Sequence, residues 1–501
     1  MKNRLFRRVS FLIALALVCC CLCCLAGCSA TNLDKYAKNL STYRIEAGFD
    51  HCDMSVSAVE SVEFFNATGG EVEELRFHLY PNAYREGVKN KPVSSAKSAK
   101  AYPNGYDYGG IEIEYATQGE EDLPFEIGGE EQNILILPLA QPVKDGQKTT
   151  VKISFETTLA NVRHRLGYAE NTVNLNHWFP LLCKYDKEEG WLQDVYCSTG
   201  DPFVAEVANF EVGLTVAQDY QVAVGADTVL CEQDEEKNSV RRLYQAKAVR
   251  DFSIVMSKKF NILTQRTGEV DIAYFFVDDQ NPQEILDLAV RAVEYYGESF
   301  GKYPYGTLSV VQSDFCEGGM EYPRLAMVTV GMDRKFYKQA VAHEIAHQWW
   351  CCVVGNDQIR NAWMDEGLAE YSTHLFFCDN DFGIDAKSEL RASKQALHDF
   401  LEITKNYFKE VDTSLTRTLR EYRSETEYAY LNYVKSMVMF DDFKQLMGKK
   451  KFLKALRLYY ADNAFSVATP QDLADSFSKA YGADFSSLLE GYVNGEEKTV
   501  A

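Results

Sequence analysis

The sequence predicts an α+β protein in which a β-rich N-terminal region precedes a mostly helical region. Residues from about 45 to 262 alternate apolar and polar side chains between turn residues, which is typical of strands with one buried face. From about residue 281 the apolar period becomes helical. The chain has 501 residues, 46% of them hydrophobic and 25% charged, which is the composition of folded globular proteins. We therefore predict two folded domains that meet near residue 262.

The first 27 residues have the pattern of a secretory signal. A basic start is followed by an apolar run from Phe11 to Leu25 and by Leu-Ala-Gly-Cys, which ends at Cys28. An uncleaved transmembrane anchor is the alternative, but the run is shorter than the ~20 residues that a spanning helix needs. The Leu-Ala-Gly-Cys quartet resembles the lipobox of bacterial lipoproteins, which implies cleavage before Cys28 and lipid attachment to its sulfur. Residues 28–44 are then expected to tether the protein to the outside of the cytoplasmic membrane.

The predicted β domain, residues 45–262, is built from amphipathic strands. Val151, Ile153 and Phe155 alternate with polar residues, and residues 210–216 repeat the pattern. Strands of this kind favour antiparallel sheets in a sandwich or saddle. The stretch Arg85–Gly110, rich in Lys, Ser, Gly and Tyr, interrupts the pattern, so we predict a long surface loop there.

The predicted C-terminal domain, residues 263–501, carries clear helix signals. One helix is expected to begin at Pro282 and to end near Phe300. Another is expected to begin after Thr469, because Thr469 can act as its N-cap and Pro470 occupies the first helical position. Gly482 is placed to end that helix.

The charge balance argues against polyanionic partners. The chain carries 52 basic and 73 acidic side chains, a formal net charge of -21. Phosphate backbones and anionic lipid headgroups repel such a chain, so no nucleic-acid partner is expected. Nothing in the sequence indicates the oligomeric state.

The strongest chemical signal is the motif His-Glu-x-x-His at residues 343–347, within a stretch with helical periodicity from about Tyr337 to Trp350. His343 and His347 are one turn apart, so they share one helix face and can bind the same Zn²⁺ ion. Glu344 is then placed to take a proton from a water molecule at the metal. An isolated motif of this kind also arises by chance, so further ligands are needed.

A catalytic zinc site takes three protein ligands and keeps one open position. Glu366 fits the third place, because it lies in a second helical stretch, residues 363–371, and eighteen residues separate it from His347. Glu370, one turn later, is placed to orient a ligand histidine. We therefore predict one zinc ion per chain, held by His343, His347 and Glu366.

These motifs together resemble the aminopeptidase N family of gluzincin zinc peptidases. The string Gly-Gly-Met-Glu-Tyr-Pro at residues 318–323 precedes the His-Glu-x-x-His motif, and Glu366 follows at the family spacing. The resemblance extends over roughly residues 50 to 495. It implies that the C-terminal domain is a thermolysin-like, mostly helical zinc-peptidase domain and that the substrates are peptides with a free N-terminus.

The resemblance also assigns roles to residues around the zinc ligands. Glu321 matches the glutamate that binds the α-amine of the substrate, and Gly318, Gly319 and Met320 belong to the same substrate-binding strand edge. Tyr433 matches the tyrosine that stabilises the oxyanion. Serine replaces the family's glycine three residues after it, and two other tyrosines, Tyr428 and Tyr430, stand nearby. Family members often add a Gln or Glu from the β domain as a second amine anchor, and Glu170 is a candidate.

The expected function is zinc-dependent removal of the N-terminal residue from peptides, with Glu344 as general base and Tyr433 as oxyanion donor. Alternatives are a zinc endopeptidase or epoxide hydrolase on the same fold, or a noncatalytic surface-binding lipoprotein. The presence of Glu321 favours the exopeptidase. Because large family members close the active site with a further helical domain, we expect a more open cleft here. The preferred N-terminal residue cannot be deduced from the sequence.

Overall fold

The computed structural model describes residues 32–408 and 411–496. The predicted signal peptide, residues 1–27, and the predicted lipid attachment site, Cys28, lie outside the described residues and stay predictions. Within the predicted tether, a short helix spans Asn32–Ala37 and the first strand already begins at Thr42. No helix of the described ranges is both long and apolar enough to cross a membrane.

The strands are numbered in chain order. They are β1 Thr42–Asp50, β2 Ser55–Phe65, β3 Val72–His78, β4 Gly110–Gln118, β5 Glu121–Asp122, β6 Glu126–Gly128, β7 Ile134–Val143, β8 Lys148–Thr158, β9 Leu166–Tyr168, β10 Val173–Leu175, β11 Leu181–Leu182, β12 Tyr185–Asp186, β13 Gly190–Trp191, β14 Ala208–Ala217, β15 Gln221–Val224, β16 Asp227–Asp234, β17 Ser239–Val249, β18 Ile254–Ser257, β19 Asn261–Thr267, β20 Val270–Phe276, β21 Thr307–Ser313, β22 Gly319–Tyr322 and β23 Leu325–Thr329.

The N-terminal domain is built around an eight-stranded sheet of order β16-β17-β14-β1-β2-β8-β4-β5. Its alternating strands bury one face as predicted, since Val151, Ile153 and Phe155 of β8 are all buried. Two four-stranded sheets, β15-β18-β10-β9 and β11-β3-β7-β6, and the two-stranded sheet β12-β13 complete the domain. The pairing differs from the purely antiparallel prediction at one place, because β1 and β14 run parallel.

The predicted surface loop Arg85–Gly110 is more deeply packed than its composition indicates. It contains a short helix, Ser98–Ala101, and the side chain of Ala101 is fully buried. The backbone carbonyl of Ala101 accepts a hydrogen bond from the amide of Arg163. The segment is therefore fixed against the β domain, and it reaches the second domain, as described below.

The C-terminal domain combines helices with a five-stranded sheet of order β19-β20-β21-β23-β22. The sequence analysis did not predict this sheet, and the predicted boundary at residue 262 falls inside β19. The reason is physical: β20, β21 and β23 are parallel neighbours, and β23 is buried along its whole length. Strands covered on both faces lack the alternation that reveals half-exposed strands.

The helices of this domain surround that sheet. Their bounds are Pro282–Ser299, Arg334–Ala346, Ala362–Asp379, Ala386–Tyr407, Glu425–Ala429, Ser436–Met447, Lys449–Asn463, Pro470–Tyr481 and Ser486–Val493, with a 3₁₀ turn at Leu419–Glu421 and a π-helical segment at Tyr430–Lys435. The capping prediction is confirmed, because the Thr469 hydroxyl accepts a hydrogen bond from the amide of Asp472. Gly482 ends the helix in the left-handed conformation, with φ 91°.

Candidate active site

The helix Arg334–Ala346 carries the two predicted histidine ligands. It begins after Asp333, whose side chain accepts a hydrogen bond from the amide of Lys335. The helix ends earlier than predicted, so His343 lies in its last turn and His347 is its C-cap. The Nε2 atoms of the two rings are nevertheless only 2.9 Å apart and face the same point.

The neighbouring helix Ala362–Asp379 brings Glu366 to the same point. Its Oε2 atom lies 3.3 Å from the Nε2 atoms of both His343 and His347. His347 and Glu366 are almost fully buried, and Glu366 Oε2 has no hydrogen-bond partner. Two imidazole nitrogens and a carboxylate oxygen that converge without a protein donor between them form the donor set that zinc prefers. The residues therefore fit the predicted metal.

The other ring nitrogen of His347 is held by a hydrogen bond, whereas that of His343 has no hydrogen-bond partner. The Nδ1 of His347 donates to the carbonyl of Trp350 at 2.9 Å, which leaves Nε2 free to act as a ligand. The Nδ1 of His343 lies 3.5 Å from Oε1 of Glu370, the residue predicted to orient a ligand. Both rings thus present Nε2 to the metal position.

Glu344 lies in the cleft beside the three ligands. It is buried, and this burial together with the charge of Glu321 raises its pKa well above the ordinary value. Gly319 is the residue that makes room for it, because a Cβ atom at Gly319 would lie 2.2 Å from Oε1 of Glu344. This close contact requires glycine at position 319.

The amine-binding candidate Glu321 lies on β22, which pairs with β23 in the five-stranded sheet. Its Oε1 accepts a hydrogen bond of 2.9 Å from Nε2 of Gln358. The same nitrogen lies 2.8 Å from Oδ2 of Asp365, the residue before Glu366. The sequence analysis missed Gln358, because it lies in the connection between the two ligand helices, where no spacing rule applies.

The other predicted substrate-binding residues, Gly318, Gly319 and Met320, do not all line the cleft. Gly318 and Gly319 line the cleft. Met320 does not, because successive strand residues point to opposite faces. Its Sδ atom lies 3.4 Å from Nε of Arg165 on the side of the β domain.

Tyr433, the predicted oxyanion donor, lies beside two of the predicted metal ligands. Its hydroxyl donates to Oε1 of Glu366, and its ring stacks on His343 with 5.9 Å between centroids. Of the two other candidates, Tyr428 also lines the cleft, whereas Tyr430 stacks on Phe400 at 4.4 Å. The geometry therefore favours Tyr433, with Tyr428 beside it.

These residues share a cleft of about 470 Å³ between the two domains. The β domain contributes Arg165 and Asp201, which form a buried ion pair. Burial raises the pKa of Asp201 to about 7, and the charges of Glu321 and Glu366 add to that effect while Arg165 opposes it. Asp201 was not among the residues predicted from the sequence.

Glu170, the candidate for a second amine anchor, does not line this cleft. Its side chain is 72% exposed and lies 3.9 Å from Lys259. Strand β10 begins two residues after Asn171 and carries the chain back into the domain, so Glu170 remains at the surface. Among the described residues that line the cleft, Asp201 is the carboxylate that the β domain contributes.

Comparisons with known proteins find peptidases similar to this chain. Residues 284–492 match the sequence profile of the Peptidase family M1 domain. The chain is 28% identical over 224 residues to the puromycin-sensitive aminopeptidase of Caenorhabditis elegans, which covers 42% of this chain and 23% of that protein. It is 22% identical over 487 residues to the aminopeptidase N of Lactobacillus delbrueckii subsp. lactis, with 89% of this chain and 50% of that protein covered. The chain thus spans half or less of the length of these curated relatives.

A solved structure shows the same fold. An M1 zinc metallopeptidase from Deinococcus radiodurans superposes with a TM-score of 0.62 at 14% identity, over 92% of this chain and 95% of that one. This agreement covers both the β domain and the helical domain.

Proposed function

Because the chain belongs to the aminopeptidase N family of M1 peptidases, we propose that it is a zinc aminopeptidase that removes the N-terminal residue from peptides. One observation supports the proposal most strongly. The three predicted zinc ligands His343, His347 and Glu366, called the metal trio below, line one cleft together with Glu344 and Glu321. A metal trio with a neighbouring base suits hydrolysis of an amide bond. A further carboxylate in the same cleft suits a substrate with a free ammonium group.

The proposed mechanism assigns one task to each side chain. Zinc, when bound, supplies Lewis-acid polarisation of the scissile carbonyl and acidifies water. Glu344 accepts a proton from the attacking water at its carboxylate and later delivers that proton to the leaving amine.

Tyr433 and the glycine strand complete the site. The Tyr433 hydroxyl is a donor beside the trio and is placed to donate to the developing oxyanion. The backbone of Gly318 and Gly319, which has no side chains to hinder approach, is available to pair with the extended substrate. Glu321 binds the α-amine and so limits cleavage to the first peptide bond.

We further propose that the protein is exported and held at the outside of the cytoplasmic membrane by lipid on Cys28. The basic start, the apolar run and the Leu-Ala-Gly-Cys quartet support this proposal. Mass spectrometry of the N-terminal peptide from membrane-extracted protein tests it. An N-terminus at Cys28 carrying a lipid mass is expected, whereas an unmodified Cys28 contradicts the anchor.

The activity is tested on zinc-loaded protein with matched peptides that carry free or acetylated N-termini, with and without a chelator. We expect chelator-sensitive release of the first residue from the free peptide and no cleavage of the acetylated one. Cleavage of acetylated peptides would support the endopeptidase instead. Failure to cleave either peptide would favour a noncatalytic binding protein.

A further inference from the structure

The β-domain segment that the sequence analysis took for a surface loop places a cation in the active-site cleft. Lys97 precedes the short helix Ser98–Ala101, and its side chain lines the cleft together with the metal trio and Glu321. The helix is fixed on both sides, because Ala101 is buried and Lys100 Nζ donates to the carbonyl of Cys316 at 2.7 Å. Lys97 is therefore held in place.

Lys97 lies between two carboxylates of the catalytic domain. Its Nζ forms an ion pair with Glu317, the residue before the Gly-Gly-Met-Glu string, and another of 3.0 Å with Oε2 of Glu425. The three side chains are only 23–33% exposed, so solvent screens them incompletely. Burial by itself lowers the pKa of Lys97, but the two glutamates raise it above the ordinary value, so the amine stays charged.

The cleft around Lys97 is lined by many more carboxylates than cations. The described residues that line it include two cations, Lys97 and Arg165, and seven carboxylates, namely Asp201, Glu317, Glu321, Glu344, Glu366, Glu370 and Glu425. Arg165 is already paired with Asp201. Lys97 is thus the cation that offsets Glu317 and Glu425, and Glu425 still has a buried oxygen, Oε1, without a hydrogen-bond partner.

Lys97, Glu317 and Glu425 form a charged triad close to the place expected for the side chain of the substrate's first residue. With the α-amine at Glu321 and the scissile carbonyl at the metal trio, the side chain of the first residue leaves the backbone between them. Glu317 lies on the same segment as Glu321, and Glu425 opens the helix that leads to Tyr433. A cationic substrate side chain that enters this part of the cleft competes with Lys97 for the two carboxylates.

We infer that Lys97 is a specificity-determining residue, which suppresses a preference for arginine or lysine as the first residue by pairing with Glu317 and Glu425. This inference rests on the proposed aminopeptidase function. It gives the cleft of this chain a preference for uncharged first residues, although the carboxylates that would bind a basic one are in place. The same triad makes acidic first residues poor substrates, because they meet the excess negative charge.

The test compares aminocoumarin amides of arginine and citrulline, which have nearly the same shape but differ by one charge. We expect the ratio of kcat/KM values, arginine over citrulline, to rise about tenfold in Lys97→Met, since two partly desolvated carboxylates lose their partner. Lys97→Arg is expected to keep the wild-type ratio. Lys100→Met is the matched control, because it removes an equivalent contact of the same helix that does not line the cleft.

Each outcome decides the inference. A ratio in Lys97→Met within twofold of wild type overturns it, as does an equal rise in Lys100→Met. If Lys97→Met does not fold, Lys97→Gln is measured in the same way, and an unchanged ratio there also overturns it. The same ratio can be measured with dipeptide substrates that carry arginine or citrulline as their second residue. If the ratio rises in Lys97→Met only with these substrates, the assignment to the first side chain is wrong. Wild-type protein that hydrolyses neither amide contradicts the proposed function itself.

Discussion

The two walls of the active-site cleft are built in different ways. The catalytic wall consists of the helices Arg334–Ala346 and Ala362–Asp379 and strand β22, and its reactive side chains come from short sequence motifs. The β-domain wall is assembled from Lys97, Arg165 and Asp201, which are far apart in the sequence and are each held by ion pairs. The first wall carries the groups that the proposed mechanism assigns to the scissile bond, and the second carries charges that are already paired.

This difference predicts different consequences of substitution. Changes on the catalytic wall are expected to reduce turnover and to leave the folded state nearly as stable as that of the unsubstituted protein. The reason is that buried oxygens there, such as Oε2 of Glu344 and Glu366, have no hydrogen-bond partner to lose. Changes on the β-domain wall are expected to reduce stability or alter selectivity, because they leave a buried charge without its partner.

The largest effect is expected for Glu344→Gln on the catalytic wall. An amide cannot accept the proton from water, so kcat is expected to fall by a factor of about 10²–10⁴. The zinc content, measured by atomic absorption, should remain at one ion per chain, since Glu344 is not a ligand in the proposed site. Glu370→Gln is the matched control, because it changes another glutamate of the same cleft and is expected to weaken metal binding by about tenfold or more. Retained turnover in Glu344→Gln would refute the assignment of the base.

The second effect is a loss in the free energy of unfolding, caused by a substitution on the β-domain wall. Arg165→Met leaves Asp201 buried without its partner, which is expected to cost about 3–5 kcal/mol of the free energy of unfolding. Urea unfolding of the zinc-loaded protein measures this loss. The double variant Arg165→Met with Asp201→Asn removes both charges and should recover much of it. If the double variant is no more stable than Arg165→Met, the ion pair is not the source of the loss.

The third effect concerns the stability of the β domain at acidic pH. His78 at the end of β3 is buried, and burial lowers its pKa to about 4. Between pH 6.5 and 4 the unfolded state therefore binds the proton and the folded state does not. The stability contributed by neutral His78 is complete above pH 6.5 and is lost as the pH falls, by about 3 kcal/mol at pH 4.

His78→Phe is expected to remove this part of the pH dependence, because phenylalanine keeps a ring against Tyr80 and does not titrate. The measurement is the free energy of unfolding at several pH values between 4 and 7. The same substitution at the exposed His398 is the control and should keep the wild-type slope. An unchanged slope in His78→Phe would show that His78 is not charged on unfolding in this range.

The contrast between the walls also explains what the sequence could predict. His343, His347 and Glu366 follow from helix geometry, because the ligand spacing is set by the turn of one helix and by two helices packed side by side. Gly319 and Glu321 needed the family resemblance, since a short glycine string is otherwise read as a turn. Lys97 and Arg165 could not be predicted, because only the packing of the two domains brings them to the cleft.

The strands of the C-terminal domain were missed for a related reason. Alternation reveals a strand only when one face meets solvent, and β23 is buried on both faces. The segment Arg85–Gly110 was misjudged in the opposite sense, because its polar composition hid a helix with a fully buried residue, Ala101. In both cases the neighbouring elements, and not the local sequence, determine what is buried.

The smallest effect is expected where the two ligand helices support the amine site. Gln358 donates to Glu321 at 2.9 Å and lies 2.8 Å from Asp365, so Gln358→Leu removes a donor without a large change in volume. A hydrogen bond to a charged group contributes about 1.5–3 kcal/mol, and part of this is expected to be recovered by rearrangement. We therefore expect KM for a leucine anilide to rise about tenfold, with kcat changed less than KM.

The readout must distinguish positioning of Glu321 from general damage to the site. Acetohydroxamate binds the metal and has no amine, so its inhibition constant should be unchanged in Gln358→Leu. A parallel rise in this constant would mean that the substitution disturbs the zinc ligands through Asp365. An unchanged KM would mean that Glu321 holds its position without Gln358, and that the amine site, like the metal trio, is fixed by strand and helix geometry alone.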